Sequence, residues 1–162
     1  MKRPSLALPL VIAALVSTAI SAQTPNFSGK WTVVPDAAAT GGGPGGPGAM
    51  GQTAVIKQDA TSMVVTRTTQ MGEFTSTYKL DGSESKNTLN IQGNAVDQIS
   101  KTKWDGSTLH VDTSMSFDGN AVNVTMAMSL DPSGNLVVVS TRPDFQGGGA
   151  PVTTKTTYKK SE

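Results

Sequence analysis

The chain contains no cysteine, so no disulfide can staple its fold and no thiolate cluster can hold zinc. Stability has to come from packing and from hydrogen-bonded ladders. No apolar run reaches the ~20 residues that a membrane-spanning helix needs. Aromatic residues make up only 5%, too few for the two aromatic girdles of an outer-membrane barrel, and the sequence ends in "YKKSE". Neither charge sign dominates, with 13 basic residues against 12 acidic ones, which argues against nucleic acid or an anionic membrane as partner.

Catalytic and metal-binding patterns are equally sparse. His110 is the single histidine, and Asp112 shares its strand face, a pairing open to a metal or to acid/base work. Thr108 and Ser114 lie on the same face, and the set reads better as a solvated outer surface. No Gly-x-Ser-x-Gly nucleophile elbow occurs, and no loop has the spaced oxygen ligands of an EF-hand. The segment "GPGAMGQT", residues 46–53, imitates a phosphate loop, but Gln52 stands where a lysine would have to reach the phosphates. The sequence therefore points to a protein that is not an enzyme, with no cofactor and no metal.

What is present begins with Met1-Lys2-Arg3, an apolar run from Leu6 to Val16 and the small-residue stretch "AISA", the layout of a secretory signal peptide. Cleavage after Ala22 is expected to leave residues 23–162 as a single domain, exported to the periplasm or the medium. A lipid anchor would need a cysteine at the cleavage point, so a soluble, unanchored monomer is expected. Loss of Lys2 and Arg3 brings the balance to 11 basic against 12 acidic residues.

Beyond residue 26 the apolar residues recur with period two, bounded by turn formers. Strands are expected near residues 27–34, 52–58, 62–70, 73–80, 85–91, 95–104, 107–116, 121–130, 135–142 and 151–159. Asp81-Gly82, Gln92-Gly93-Asn94, Asp105-Gly106, Asp118-Gly119-Asn120 and the run 131–135 supply tight turns. Short turns make an antiparallel up-and-down meander of about eight to ten strands. Closing it into a barrel removes the exposed edges. The Gly/Pro-rich segments 35–51 and 143–151 read as long loops.

Alternation assigns the faces. Val122, Val124, Met126, Met128 and Leu130 point one way along their strand, as do Leu109, Val111 and Met115 along theirs. An apolar interior inside a polar surface is expected. Methionine adapts to varied apolar shapes, so Met63, Val111, Met115, Val124, Met126 and Met128 are the candidates for lining a ligand cavity. The same methionines also suit a filled core with few aromatics.

Gly29-Lys30-Trp31 at the start of the first strand, the long loop after it and the returning meander resemble the lipocalin and calycin pattern. "FSGKW", residues 27–31, and "WDGSTLHV", residues 104–111, also resemble small exported bacterial proteins of unknown function. The resemblance implies that Trp31 closes the floor of a barrel beside Gly29. It also implies that a basic side chain from the last strand, Lys155 or Lys159, lies across the indole. The second lipocalin motif, Thr-Asp-x-x-Tyr, is absent, as is a helix after the barrel. Two functions follow as expectations. The first is binding of a small apolar or amphipathic ligand, with loop 35–51 near the open mouth. The second is a structural or surface-interaction role for a barrel with a solid core.

Overall fold

A computed structural model describes residues 24–34, 50–91, 93–117, 119–144 and 149–161. The expected signal peptide, most of loop 35–51, parts of two turns and the centre of loop 143–151 lie outside these residues. Ten strands account for most of what is described: β1 (Gly29–Val33), β2 (Thr53–Gln58), β3 (Ser62–Thr69), β4 (Gly72–Lys79), β5 (Ser85–Ile91), β6 (Asn94–Asp105), β7 (Thr108–Phe117), β8 (Asn120–Leu130), β9 (Leu136–Arg142) and β10 (Val152–Ser161). Among the described residues there is no helix.

The strands form one antiparallel sheet in the order β4-β3-β2-β1-β10-β9-β8-β7-β6-β5. First and last strands are therefore neighbours in the middle of the sheet, with Trp31 opposite Lys160 and Val33 opposite Tyr158. The edges fall at β4 and β5, which the turn Asp81-Gly82 connects directly. Expected as an ordinary hairpin, that turn instead joins two strands that share no backbone ladder.

Side chains bridge this seam. The Thr77 amide donates to Asn87 Oδ1 at 2.7 Å, and Asn87 Nδ2 donates back to the Thr77 carbonyl at 3.0 Å. The Lys79 amide donates to Ser85 Oγ at 2.8 Å, while Thr102 Oγ1 donates to the Lys79 carbonyl at 2.5 Å. The backbone amides and carbonyls of Thr77 and Lys79 thus find side-chain partners where a ladder is missing. The barrel closes without a continuous ladder.

The end that holds the start of β1 is filled. Phe27, Trp31, Met63, Leu109, Met128 and Leu136 are buried there in one cluster, and Trp104 packs against it. Trp31 Nε1 donates to the Phe27 carbonyl at 2.9 Å, and the Phe27 ring stacks on Trp104 with centroids 5.9 Å apart. Gln58 ties the segment before β1 to β2, accepting from the Phe27 amide at 2.9 Å and donating to the Pro25 carbonyl at 3.1 Å. Gly29 has φ +145°, a conformation that side chains with a Cβ rarely adopt, and the end of the Lys160 side chain lies over it.

Candidate functional site

Strand alternation brings a polar belt into the lumen. Along β3, Met63, Val65 and Arg67 face inward, and along β4 Phe74, Ser76 and Tyr78 do so. On the opposing wall the inward residues are Val96, Gln98, Ser100 and Thr102 of β6, then Leu109, Val111, Thr113 and Met115 of β7. Ser140 of β9 and Thr154 and Thr156 of β10 are also buried. An apolar interior was the expectation; most buried residues are apolar, and the structure adds a polar belt to them. Large apolar groups fill one end, Phe74, Leu89, Val96 and Val122 are buried outside that cluster, and polar groups share the interior with both.

A cavity of about 20 Å³ opens within this belt, lined by Arg67, Tyr78, Gln98, Thr113, Met115, Val124 and Met126. That is room for about one water molecule. The lining joins two walls, β3 and β4 facing β6, β7 and β8. Three of the expected cavity residues, Met115, Val124 and Met126, belong to it. The other three do not: Met63, Val111 and Met128 are at most 1% exposed in the apolar cluster, to which Met126 and Tyr78 of the lining also belong.

Hydrogen-bond donors dominate the polar side of the lining. Arg67 brings its guanidinium to 5.8 Å from the Phe74 ring centroid, a cation over an aromatic face. Gln98 Nε2 donates to Met115 Sδ at 3.7 Å, and the Ser100 and Thr113 hydroxyls are 2.9 Å apart. Ser76 Oγ and Ser140 Oγ are buried with no hydrogen-bond partner among the described residues. Burial pushes the Tyr158 hydroxyl up to about 12, against which the nearby positive charge of Arg67 pulls weakly. That hydroxyl donates to the Gly51 carbonyl at 3.2 Å, fastening the end of the long loop to β10. Gly51 itself has φ +72°, and a Cβ there would strike the Thr68 carbonyl, so only glycine fits this approach.

At the filled end the cation over Trp31 is Lys160, its Nζ 5.7 Å from the ring. Lys155 and Lys159 do not take that place. Lys155 pairs with Val139 and is exposed, and Lys159 pairs with Thr32 and is exposed too. Alternation explains the difference: Thr154, Thr156, Tyr158 and Lys160 share the inward parity, and odd-numbered residues of β10 face out. His110 and Asp112 lie on the outer side of β7, opposite Lys103 and Lys101. Among the described residues no group of three or more histidine, aspartate or glutamate side chains could hold a metal ion.

Arg67, Tyr78, Gln98 and Thr113 were missed in the sequence, though their parity was readable. Arg67 follows Met63 and Val65 at spacing two, and Thr113 stands between Val111 and Met115.

Among solved structures, the chain is similar to zebrafish ileal bile acid-binding protein crystallised in complex with cholic acid. The TM-score is 0.55 at 20% sequence identity, over 83% of this chain and 98% of that one. At that identity the likeness shows a shared barrel fold. No protein-family model matches the chain, and no curated protein does.

Proposed function

We propose that this protein is an exported, soluble, monomeric barrel that holds one small amphipathic molecule in its lumen and performs no chemistry on it. The carrying observation is the cavity between two walls, with Met115, Val124 and Met126 on its apolar side and Arg67, Tyr78, Gln98 and Thr113 on its polar side. The zebrafish protein of similar fold, crystallised with cholic acid, supports the reading. The leader-like residues 1–22 support export.

A ligand needs more room than one water, so the lumen has to expand. Two features favour expansion. Arg67, Gln98, Met115 and Met126 are unbranched and can swing aside without backbone movement. The wall also lacks a ladder at the β4–β5 seam, where four side-chain hydrogen bonds stand in for it. Breaking all four costs ~4 kcal/mol at ~1 kcal/mol each. About five buried methylene groups, at ~0.8 kcal/mol each, offset that loss. Burial of an alkyl chain is thus of the same order as the loss on opening the seam, and a longer chain has to supply the remaining cost of association.

The small volume favours a second reading, a barrel with a solid core that acts through its surface. Met126→Trp separates the two. In an expandable lumen it abolishes uptake of an environment-sensitive fatty probe and leaves the melt nearly unchanged. In a solid core it destabilises by ~1–3 kcal/mol, and the wild type takes up no probe.

A further inference from the structure

We infer that the outer face of β2, β1 and β10 docks an acidic polysaccharide, a chain of carboxylate-bearing sugars. This surface is separate from the lumen and stands whether or not the lumen takes a ligand. Five strands in a row, β3-β2-β1-β10-β9, contain no aspartate or glutamate. The strand-borne carboxylates are Glu73 of β4, Asp97 and Asp105 of β6 and Asp112 of β7, all on the remaining strands.

Lysines line up on the acid-free wall. Lys30 stands opposite Val55 on one side and Ser161 on the other, so Lys57 and Lys159 are its diagonal neighbours, about 7–8 Å away. Lys155 follows Lys159 along β10 at the same parity. All four are exposed, and among the described residues none of them has an ion-pair partner. The nearest carboxylate along the chain, Asp59, is engaged by Thr61 and Ser62. The opposite wall is built differently. There Lys101 reaches Glu84 at 3.4 Å and pairs across the ladder with Asp112, so the two signs are interspersed. A face kept only for solubility would mix signs in the same way. Unneutralised lysines side by side repel one another, and a bound polyanion removes that repulsion.

The groups between the lysines select a polysaccharide. Thr68, Thr53 and Thr32 form one row across β3, β2 and β1 that ends at Lys159, and the Thr32 hydroxyl lies 2.6 Å from Ser161 Oγ. Hydroxyls that both donate and accept suit the hydroxyls of sugars, and ammonium groups on flexible stems suit carboxylates. Val55, 39% exposed, is the one large apolar side chain exposed on these three strands among the described residues, too little to anchor in a bilayer. No aromatic side chain or arginine is exposed on them, so bases have nothing to stack on and a protein partner lacks its usual anchors.

The test titrates the full mature chain with polygalacturonate by calorimetry at low salt, with dextran as the uncharged sugar chain. Polygalacturonate is expected to bind saturably and to weaken as salt rises, while dextran does not bind. Replacing two central lysines, Lys30→Gln with Lys159→Gln, should weaken binding about 10-fold. Lys101→Gln with Lys103→Gln on the opposite wall should stay within about twofold of wild type. Absence of polygalacturonate binding, or equal loss in the two double variants, overturns the assignment. Tighter binding of phosphatidylglycerol vesicles or single-stranded DNA than of polygalacturonate gives the surface to another partner and overturns it as well.

Discussion

Lys160 lies directly across the β1–β10 ladder from Trp31, with its ammonium 5.7 Å from the indole centroid. The pair joins the first strand to the last at the filled end, and the ring beneath the cation is 2% exposed. The two partners contribute unequally. Trp31→Ala empties a large buried volume and is expected to cost ~3–5 kcal/mol. Lys160→Ala removes an exposed cation and should cost only ~0.5–1 kcal/mol. Denaturant melts of both variants check the ratio, and a Trp31→Ala loss below ~1 kcal/mol would place the ring outside the core.

The seam is expected to be the weakest part of the wall. Asn87→Ala removes both bonds to Thr77 and should cost ~1–2 kcal/mol. Its local consequence is more diagnostic. Hydrogen exchange at the Thr77 amide should accelerate, while the Met63–Tyr78 pairing on the other side of β4 stays protected. Uniform acceleration across the whole sheet would show that the barrel opens only globally.

Alkali should loosen the barrel through Tyr158. Burial raises its folded pKa to about 12 from the ordinary 10.0, so folding favours the neutral phenol. The stabilisation is fully present below pH 10 and is lost as the pH rises toward 12, about 3 kcal/mol in all. Tyr158→Phe removes the titrating group, and its stability should stay flatter over that window. Parallel loss in both proteins would assign the alkaline transition elsewhere.

Acid should act at the β2–β3 turn. Asp59 accepts from the amide and hydroxyl of Thr61 and from those of Ser62, and these bonds, Thr61 first, lower its pKa to about 2. Its contribution is present above the unfolded value of 3.8 and fades as the pH falls toward 2. Carboxyl NMR titration should find Asp59 among the most acidic groups of the chain. A midpoint near 4 would mean the turn is open in solution.

Most of this architecture was legible from local rules, because period-two alternation and Asp-Gly turns act within a few residues of one another. Strand limits at 62–69 and 85–91 agree with the sequence to within a residue. The place of barrel closure was not legible. It depends on Asn87 and Ser85 mimicking a backbone strand toward Thr77 and Lys79, a match between side chains and a neighbouring strand that no periodicity records. The candidate site was half legible. Met115, Val124 and Met126 stood out as apolar residues at inward parity, whereas Arg67 was passed over because a charge normally marks the outer face. The basic residue over Trp31 is Lys160 and not Lys155 or Lys159, as the resemblance implied, and in β10, VTTKTTYKKS, threonine and lysine occur on both faces, so polarity alone does not mark its inward set.

Methionine-methyl NMR during titration with decanoate tests the central claim most directly, because the chain's methionines sample the cavity, the filled end and the surface. Binding in the lumen should shift the methyl signals of Met115 and Met126, which line the cavity, and leave Met63 and Met128, fully buried and not part of its lining, unmoved. The exposed Met71, on the turn between β3 and β4, should also stay silent. Saturable shifts confined to Met115 and Met126 are the expected result, and shifts confined to Met71, or none at all, would contradict a ligand-binding lumen.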